Sequence, residues 1–395
     1  MPGFEWYDQS EREQVNEVLS AGVLFRYGYG PSGNERSRAK MFETELSRKI
    51  GAGYCHLCSS GTAALTVALA AAGIGAGDEV IVPPFTFVAT FEALLNAGAV
   101  PVFSEIDETL CLDPDRLEEA LTPRTRAVMP VHMCGGMARI DAIQAFCEKK
   151  GLVLLEDACQ ALGATFNGKH LGTFGRAGCF SFDPVKTITC GEGGGVVTND
   201  QEVYVRADAF ADHGHDHLGV DRGADDHVIL GANYRISELN AAVGLAQLRK
   251  LDRILETQRR HKQFLKEALS GIPDVSFRDL PDPAGDSATF LSFFLPDEDR
   301  ARAAAKELAR AGVDGCFYWY DNNWHYLRQW DHLREMRAAA RLPASLADNL
   351  PDYRRLSLPR SEAVMSRCLS LLIKLAWTED DLAARADAMK TVLTS

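Results

Sequence analysis

The chain has 395 residues, of which 46% are apolar and 25% are charged, and its net charge is −13. These proportions are typical of soluble globular proteins and exclude a disordered or fibrous chain, and the length suffices for two domains. The acidic balance disfavours an extended surface for nucleic acid or an anionic membrane. No apolar run approaches membrane-spanning length, and the polar N-terminus predicts a cytoplasmic protein without a secretion signal.

Helices and short apolar strands alternate through the first half of the chain. The predicted helices cover 37–51, 61–73, 86–98, 113–122 and 138–151, and the predicted strands cover 54–60, 79–84, 100–107, 127–133, 152–158, 178–183 and 193–200. The strands are rich in Val, Ile and Leu without strict alternation, as expected when both faces of a sheet are covered. This pattern predicts an α/β fold with a mostly parallel sheet and ligands on the loops after the strands.

The second half of the chain has a different pattern of predicted elements. A long helix is predicted over 236–269, followed by a connector rich in proline and glycine over 279–290. A strand over 289–295, a helix over 300–312 and an aromatic strand over 316–324 come next. We therefore predict a large domain over 1–261, including an N-terminal arm, and a smaller C-terminal α+β domain over 262–395.

Four short segments carry candidate chemistry. Ser60-Gly61-Thr62 begins a helix directly after a strand, where free N–H groups suit a phosphate, although an ordinary capped helix start has the same sequence. Asp157 ends an apolar strand, where its carboxylate could pair with a protonated pyridine nitrogen or simply cap a helix. Phe87 follows another strand and could stack on a flat ring or pack in the core.

The fourth segment is SFDPVKTITCGEGGG, in which Lys186 follows a strand that ends near Ser181. A lysine that binds an aldehyde covalently is helped by partial desolvation, and the glycines from Gly191 to Gly195 allow the backbone to pass close to a bulky cofactor. A single loop lysine is usually only solvated. The combination of the four segments, in this order, points to pyridoxal phosphate.

At this point a family resemblance is evident. The blocks SSGTAAL, VPPFTFVAT, LLEDACQALGA, SFDPVKTITCGEGGGVVTND and GANYRISELNAAVGLAQL resemble successive signatures of the DegT/DnrJ/StrS sugar aminotransferases, most strongly from Phe42 to Leu251. The resemblance implies the type I aminotransferase fold, with a large domain whose mostly parallel sheet is flanked by helices and a smaller C-terminal domain. It also implies a pyridoxal 5'-phosphate cofactor and a homodimer with a shared active site.

The resemblance assigns roles to individual residues. Lys186 would bind the cofactor covalently and move protons between cofactor and substrate; some relatives carry His there and dehydrate sugars, so this lysine points to transamination. The other implied cofactor contacts are Asp157 with the ring nitrogen, Gln160 with the ring hydroxyl, Phe87 on the ring face, Ser60, Gly61, Thr62 and Ser181 with the phosphate, and Asn233 with the phosphate of the neighbouring subunit.

A finer resemblance concerns the acceptor. The segments FRYGYG, SEIDETLCLDP, ADHGHDHLGVDRGA and DGCFYWYDNNWHYL are similar to those of the family branch that aminates 8-oxo-3,8-dideoxy-manno-octulosonate for lipopolysaccharide, with glutamate as donor. A substrate carboxylate would require an arginine partner. The candidate substrate contacts are Arg26, His215, Arg235, Tyr318 and His325. A nucleotide-linked keto-deoxysugar is the alternative acceptor.

Two metal motifs and one non-enzymatic function compete with this interpretation. His213, His215 and His217 could share one face of a strand, but the motif is one residue short of HxHxDH, so we favour sugar contacts or an exposed loop over a metal. The pair Cys55 and Cys58 lacks a second pair at metal spacing and is best explained as reduced core residues. A regulator that only binds pyridoxal phosphate also remains open, although it would not need Lys186.

Overall fold

The computed structural model describes residues 3–29, 33, 35–219 and 223–395. The strands of its first half are β1 Tyr54–Cys58, β2 Glu79–Val82, β3 Val100–Phe103, β4 Thr125–Val128, β5 Val153–Asp157, β6 Thr165–Phe166, β7 Lys169–His170, β8 Ala177–Ser181 and β9 Gly194–Thr198. Strands β6 and β7 form a separate hairpin, and the other seven form one sheet in the order β1-β9-β8-β5-β4-β2-β3.

Six strands of this sheet point the same way. Every neighbouring pair from β8 to β3 is parallel, whereas β9 is antiparallel to both β1 and β8. The carboxyl ends of β1, β2, β4, β5 and β8 therefore meet at one edge. The prediction of a mostly parallel sheet is confirmed, and its ligand edge is defined by the topology.

Helices cover both faces of the sheet. In chain order they are α1 Gln9–Ala21, α2 Arg38–Ile50, α3 Gly61–Ala71, α4 Ala89–Asn96, α5 Ile140–Lys150, α6 Gln201–Ala211, α7 Glu238–Arg249, α8 Leu251–Leu269, α9 Glu298–Arg310, α10 Asp331–Arg334, α11 Ala344–Ala347, α12 Pro359–Met365 and α13 Glu379–Thr394. Val80 and Val82 pack with α3, α4 and α6 on one face, and Ile81 packs with α5 on the other. This explains why the strands lack polar alternation.

A second, antiparallel sheet forms from the C-terminal part of the chain. Its strands are β10 Ser276–Phe277, β11 Phe290–Phe294, β12 Cys316–Phe317 and β13 Cys368–Leu372, in the order β10-β11-β13-β12. Leu265 of α8, Leu308 of α9 and Met389 of α13 share a core with this sheet. The predicted domain boundary between residues 261 and 262 lies inside α8, which contributes to both halves, and the domain division stays a prediction.

Three predicted elements differ from the structure. The long helix divides at Lys250, whose N–H bonds to the Gln247 carbonyl and whose ammonium contacts Glu11 at 2.7 Å and the Trp6 carbonyl at 2.9 Å. The helix predicted over 113–122 is a 3₁₀ helix over Pro114–Ala120. The aromatic strand has only two residues, because the chain then leaves the sheet in a 3₁₀ turn.

Two further expectations concern cysteines and membranes. All ten cysteines are free thiols, and both Cys55 and Cys58 are buried. Within the described ranges, every helix is too short or too polar to cross a bilayer.

Candidate active site

A cavity of about 540 Å³ opens at the carboxyl edge of the large sheet. Nine of the residues singled out from the sequence line it: Ser60, Gly61, Thr62, Phe87, Asp157, Gln160, Ser181, Lys186 and His325. The topology of the large sheet brings four of their five segments together, and the fifth, which carries His325, comes from the C-terminal half of the chain. All the predicted cofactor contacts except Asn233 therefore lie around one cavity of a single chain.

One end of the cavity is formed by the turn between β1 and α3. The Ser60 hydroxyl accepts a hydrogen bond from the Ala63 N–H at 3.0 Å, so it caps the helix as an ordinary helix start would. The N–H groups of Gly61 and Thr62 lie in the first turn, where a helix offers them no carbonyl partner. With the Ser181 hydroxyl beside Gly61, this end suits a phosphate.

Two glycines of the run after Lys186 are required by the packing of the large sheet. A Cβ atom on Gly194 would overlap the Ser60 carbonyl and come within 2.8 Å of the Gly61 nitrogen. A Cβ atom on Gly195 would approach Leu57 of β1 to 3.3 Å. These glycines therefore allow β9 to lie directly against β1 and the turn that follows it. Because Ser60 and Gly61 of that turn line the cavity, the glycines help to position the cavity wall.

The two acids at the end of β5 face opposite directions, as successive residues of a strand must. Asp157 lines the cavity and is only 4% exposed. Its Oδ1 accepts a hydrogen bond from the Cys159 N–H at 3.1 Å, and its Oδ2 accepts one from the Thr90 hydroxyl at 2.7 Å. Glu156 instead accepts hydrogen bonds from Phe174 and Gly175 N–H groups on the other side. Only Asp157 is available to a ligand.

Gln160 and Lys186 present donors to the cavity. The Gln160 Oε1 accepts a hydrogen bond from the Cys134 N–H at 3.1 Å, which leaves its NH₂ group to donate. The Lys186 loop is held by two backbone bonds: its N–H donates to the Asp183 carbonyl at 3.0 Å, and its carbonyl accepts from Gly3 at 3.1 Å. Its Nζ lies 6.0 Å from the centroid of the Phe87 ring.

The opposite wall is aromatic and comes from the C-terminal half. Phe317, Trp319 and Trp324 line the cavity, and Trp324 stacks on Phe87 with centroids 5.6 Å apart and planes at 16°. The Val88 N–H donates to the Trp324 carbonyl at 3.0 Å. The aromatic density of this segment predicted a strand, and that prediction missed Trp319 and Trp324 as cavity residues.

His325 is the predicted substrate contact that reaches the cavity. Its Nδ1 lies 3.0 Å from Asn322 Oδ1, which can only accept, so the proton is on Nδ1 and Nε2 is an acceptor. Burial, reinforced by the charge of Lys186, lowers the pKa of His325 to about 3 and keeps the ring neutral. Tyr318 is turned away, because its hydroxyl donates to the Ser366 carbonyl at 2.8 Å.

Four other predicted residues do not line the cavity of their own chain. The Arg26 side chain is buried against Glu43 at 2.6 Å and donates to the Leu57 carbonyl. Arg235 pairs with Asp212. His215 is buried, with its Nδ1 3.7 Å from an Asp225 oxygen, and Asn233 is exposed. Arg26 is therefore held in a structural ion pair and not directed at a substrate of its own chain.

The histidine motif forms polar contacts. His217 bonds to Asp208 at 2.8 Å and to Asp212 at 3.0 Å. Over the described residues, no group of three or more His, Cys, Asp or Glu side chains is arranged to hold a metal. Parts of two of the segments that carry the finer resemblance, Gly30 and residues 220–222, lie outside the described residues.

Structural comparison defines the class. The chain matches an aminotransferase from Psychrobacter cryohalolentis with a TM-score of 0.84 and 28% identity, over 98% of this chain and 97% of that one. It matches NtdA from Bacillus subtilis, with its cofactor PMP (pyridoxamine phosphate) bound, with a TM-score of 0.80 and 26% identity, over 98% and 82%. Fold and cavity together are those of a pyridoxal-phosphate-dependent aminotransferase.

Sequence comparison then defines the family. The chain belongs to the DegT/DnrJ/EryC1/StrS aminotransferase family, whose profile matches residues 7–390. It is 38% identical over 275 residues to L-glutamine:2-deoxy-scyllo-inosose aminotransferase of Micromonospora echinospora. The aligned region covers 67% of this chain and 65%, just under two thirds, of that protein. It is 34% identical over 290 residues to GDP-perosamine synthase of Vibrio cholerae, covering 73% and 74%.

Proposed function

We propose that this protein transfers an amino group from an amino-acid donor to the carbonyl group of a sugar, with pyridoxal phosphate as carrier. The observation that supports this most directly is the convergence of Lys186, Asp157 and the turn at Gly61 on one cavity. When bound, pyridoxal phosphate accepts the electron pair left after the donor loses its α proton. The aromatic wall would exclude water from that step.

Each cofactor contact has a defined task in this proposal. The Lys186 amine binds the cofactor and, once displaced by the donor, takes and returns protons. The Asp157 carboxylate holds the proton on the ring nitrogen, and the Gln160 NH₂ group donates to the ring hydroxyl. Ser181 and the first turn of α3 bind the phosphate.

We propose 8-oxo-3,8-dideoxy-manno-octulosonate as the acceptor and lipopolysaccharide as the destination of the amino sugar, made in the cytoplasm. The support is the resemblance of four segments, one of which, residues 314–327, supplies part of the cavity wall, including Trp319, Trp324 and His325. The neutral His325 Nε2 can accept a hydrogen bond from a sugar hydroxyl. A nucleotide-linked keto-deoxysugar is the second candidate, favoured by the similarity to GDP-perosamine synthase.

The carboxylate of such an acceptor requires a cation. Among the described residues that line the cavity, Lys186 is the one lysine or arginine, and it is already engaged in the chemistry. We therefore propose that Arg235 of the partner subunit binds the substrate carboxylate and that Asn233 of the partner subunit reaches the cofactor phosphate.

A homodimer is part of this proposal. The segment 212–235, which carries Asn233, also exposes Leu218 at 86% and Leu230 at 95%. Large apolar side chains exposed to this degree in one segment favour a protein contact. A second copy of the chain would cover them and complete each site.

Mixed dimers test the shared site. Lys186→Ala and Asn233→Ala homodimers should each be inactive or impaired, whereas co-refolded heterodimers should regain activity, because one of their two sites combines Lys186 of one chain with Asn233 of the other. Light scattering gives the assembly state. Mixed dimers no more active than the parents would refute the shared site.

A substrate screen tests the reaction itself. The holo-protein is offered the oxidised octulosonate and a panel of keto-sugar nucleotides, each with L-glutamate and, because one relative is named for it, L-glutamine. Mass spectrometry should find the aminated octulosonate with the wild type and not with Lys186→Ala. Amination of a nucleotide sugar alone would replace the acceptor, and amination of no sugar would reject the proposal.

A further inference from the structure

We propose that Thr90, together with Thr86, is a positioning residue that holds the Asp157 carboxylate in place and directs it at the cofactor nitrogen. The inference rests on the proposed function, in which Asp157 pairs with that nitrogen. It extends the site to two hydroxyl groups that the sequence analysis did not single out.

The three side chains form a buried row. The Thr86 and Thr90 hydroxyl oxygens are 2.6 Å apart, and the Thr90 oxygen is 2.7 Å from Asp157 Oδ2. The two threonines are 0% and 1% exposed and Asp157 is 4% exposed. All three residues line the same cavity.

The direction of these bonds follows from the chemistry of the last member. An ionised carboxylate can only accept, so the Thr90 hydroxyl must donate to Asp157. Its proton is then committed, and Thr90 must accept the proton of Thr86. The Thr90 hydroxyl therefore donates one hydrogen bond to Oδ2, and the backbone N–H of Cys159 donates another to Oδ1 at 3.1 Å. With one donor on each oxygen, the carboxylate is fixed and its remaining lone pairs are available to the ring nitrogen.

The Thr90 hydroxyl does not form a hydrogen bond with a backbone carbonyl of its own helix. A threonine in a helix commonly bonds the carbonyl four residues earlier, as Thr66 of α3 does with the Thr62 carbonyl at 3.0 Å. Thr90 lies in the first turn of α4, yet its hydroxyl bonds two side chains instead. This difference indicates that the Thr90 hydroxyl serves to position Asp157 and not to stabilise its helix.

The test compares three variants of the full-length protein. Thr90→Val keeps the shape and removes the hydroxyl, Thr90→Ser restores it, and Thr66→Val is a matched buried control. Each apoprotein is titrated with pyridoxal phosphate, and its thermal melt is recorded to verify folding. The visible spectrum of each holo-protein is followed with pH, and the amino transfer from L-glutamate or L-glutamine to the cofactor is timed without any sugar.

Losing a hydrogen bond to a buried charge should raise the dissociation constant of pyridoxal phosphate about tenfold or more in Thr90→Val. The amino transfer from the amino-acid donor to the cofactor should slow. The pH midpoint of the change in the visible spectrum should also shift, because the Asp157 carboxylate that faces the ring nitrogen is less well held. Thr90→Ser should stay within about threefold of the wild type, a fraction of the cost of a lost charged hydrogen bond. Thr66→Val should match the wild type.

The inference fails if Thr90→Val equals the wild type in affinity and pH response, or if Thr66→Val shows the same losses, since packing would then explain both. Should Thr90→Val not fold, Thr86→Val makes the same test one hydroxyl further away, with a smaller shift in the same direction expected and no shift refuting it. Failure of the proposed function is seen separately: the wild type itself would then bind no pyridoxal phosphate or aminate no sugar.

Discussion

The Gly61→Ala substitution should weaken cofactor binding far more than it disturbs folding. A Cβ atom built on Gly61 lies 2.7 Å from Ser181 Cβ and 2.9 Å from Ser181 Oγ, well inside van der Waals contact. Ser181 ends β8, which is paired on both sides, so it cannot readily retreat. The start of α3 must shift instead, and it carries the N–H groups that we assign to the phosphate.

The size of the effect follows from two limits. Overpacking of this kind typically costs about 1–3 kcal/mol, and losing one hydrogen bond to a charged group costs about 1.5–3 kcal/mol. If most of the strain is relieved by moving the helix start away from the phosphate, the dissociation constant of pyridoxal phosphate should rise between about tenfold and 150-fold.

Fluorescence titration of the apoprotein measures this change. Gly75→Ala is the control, because its Cβ would meet nothing closer than the Ala97 carbonyl at 3.9 Å, and it should bind the cofactor like the wild type. The melting temperature of each apoprotein separates folding from binding. A Gly61→Ala protein that binds within twofold of the wild type would refute the phosphate assignment.

Three further outcomes are expected. Borohydride treatment of the holo-protein should fix the coenzyme to the peptide containing Lys186, and Lys186→Ala should show neither label nor turnover. Gly3→Ala would bring a Cβ within 2.9 Å of Ile188 Cα, so amino transfer should slow with little change in melting temperature, while exposed Phe4→Ala should have no effect. Burial lowers the pKa of His217, but its bonds to Asp208 and Asp212 outweigh this and raise it above 6.5. The wild type should therefore exceed His217→Gln in unfolding free energy more at pH 6 than at pH 9, by urea denaturation; equal differences would contradict this.

Most of the residues that line the cofactor half of the cavity could be singled out from the sequence, because they lie at strand ends or at the turns that follow them. A glycine at the first turn of a helix, an acid that ends an apolar strand and a lysine before a glycine run each carry their chemistry in a few neighbouring residues. The parallel topology then brings the strand ends together without further information. The large sheet was predictable for the same reason, since its strands and helices have clear periodicity.

The remaining features depend on contacts between distant segments. Nothing local to Trp324 indicates that its carbonyl accepts the N–H of Val88, and so the aromatic segment was interpreted as a strand. The hydroxyl row from Thr86 to Asp157 depends on the contact between Thr90 and Asp157, which are 67 positions apart in the chain. Arg26 matched an anion-binding role by position only, while its actual partner, Glu43, lies on α2.

The distribution of charge within the cavity separates cofactor binding from substrate selection. Asp157 and most of the residues that we assign to the phosphate line the cavity of their own chain, whereas the described lining has no arginine for a substrate carboxylate. Arg235 and Asn233 lie outside that lining, on a segment with two highly exposed leucines. If a second copy of the chain supplies these two residues, the acceptor is selected at the subunit interface. Substitutions in the segment 212–235, other than those at Asn233, should then change which sugar is aminated and leave the affinity for pyridoxal phosphate nearly intact.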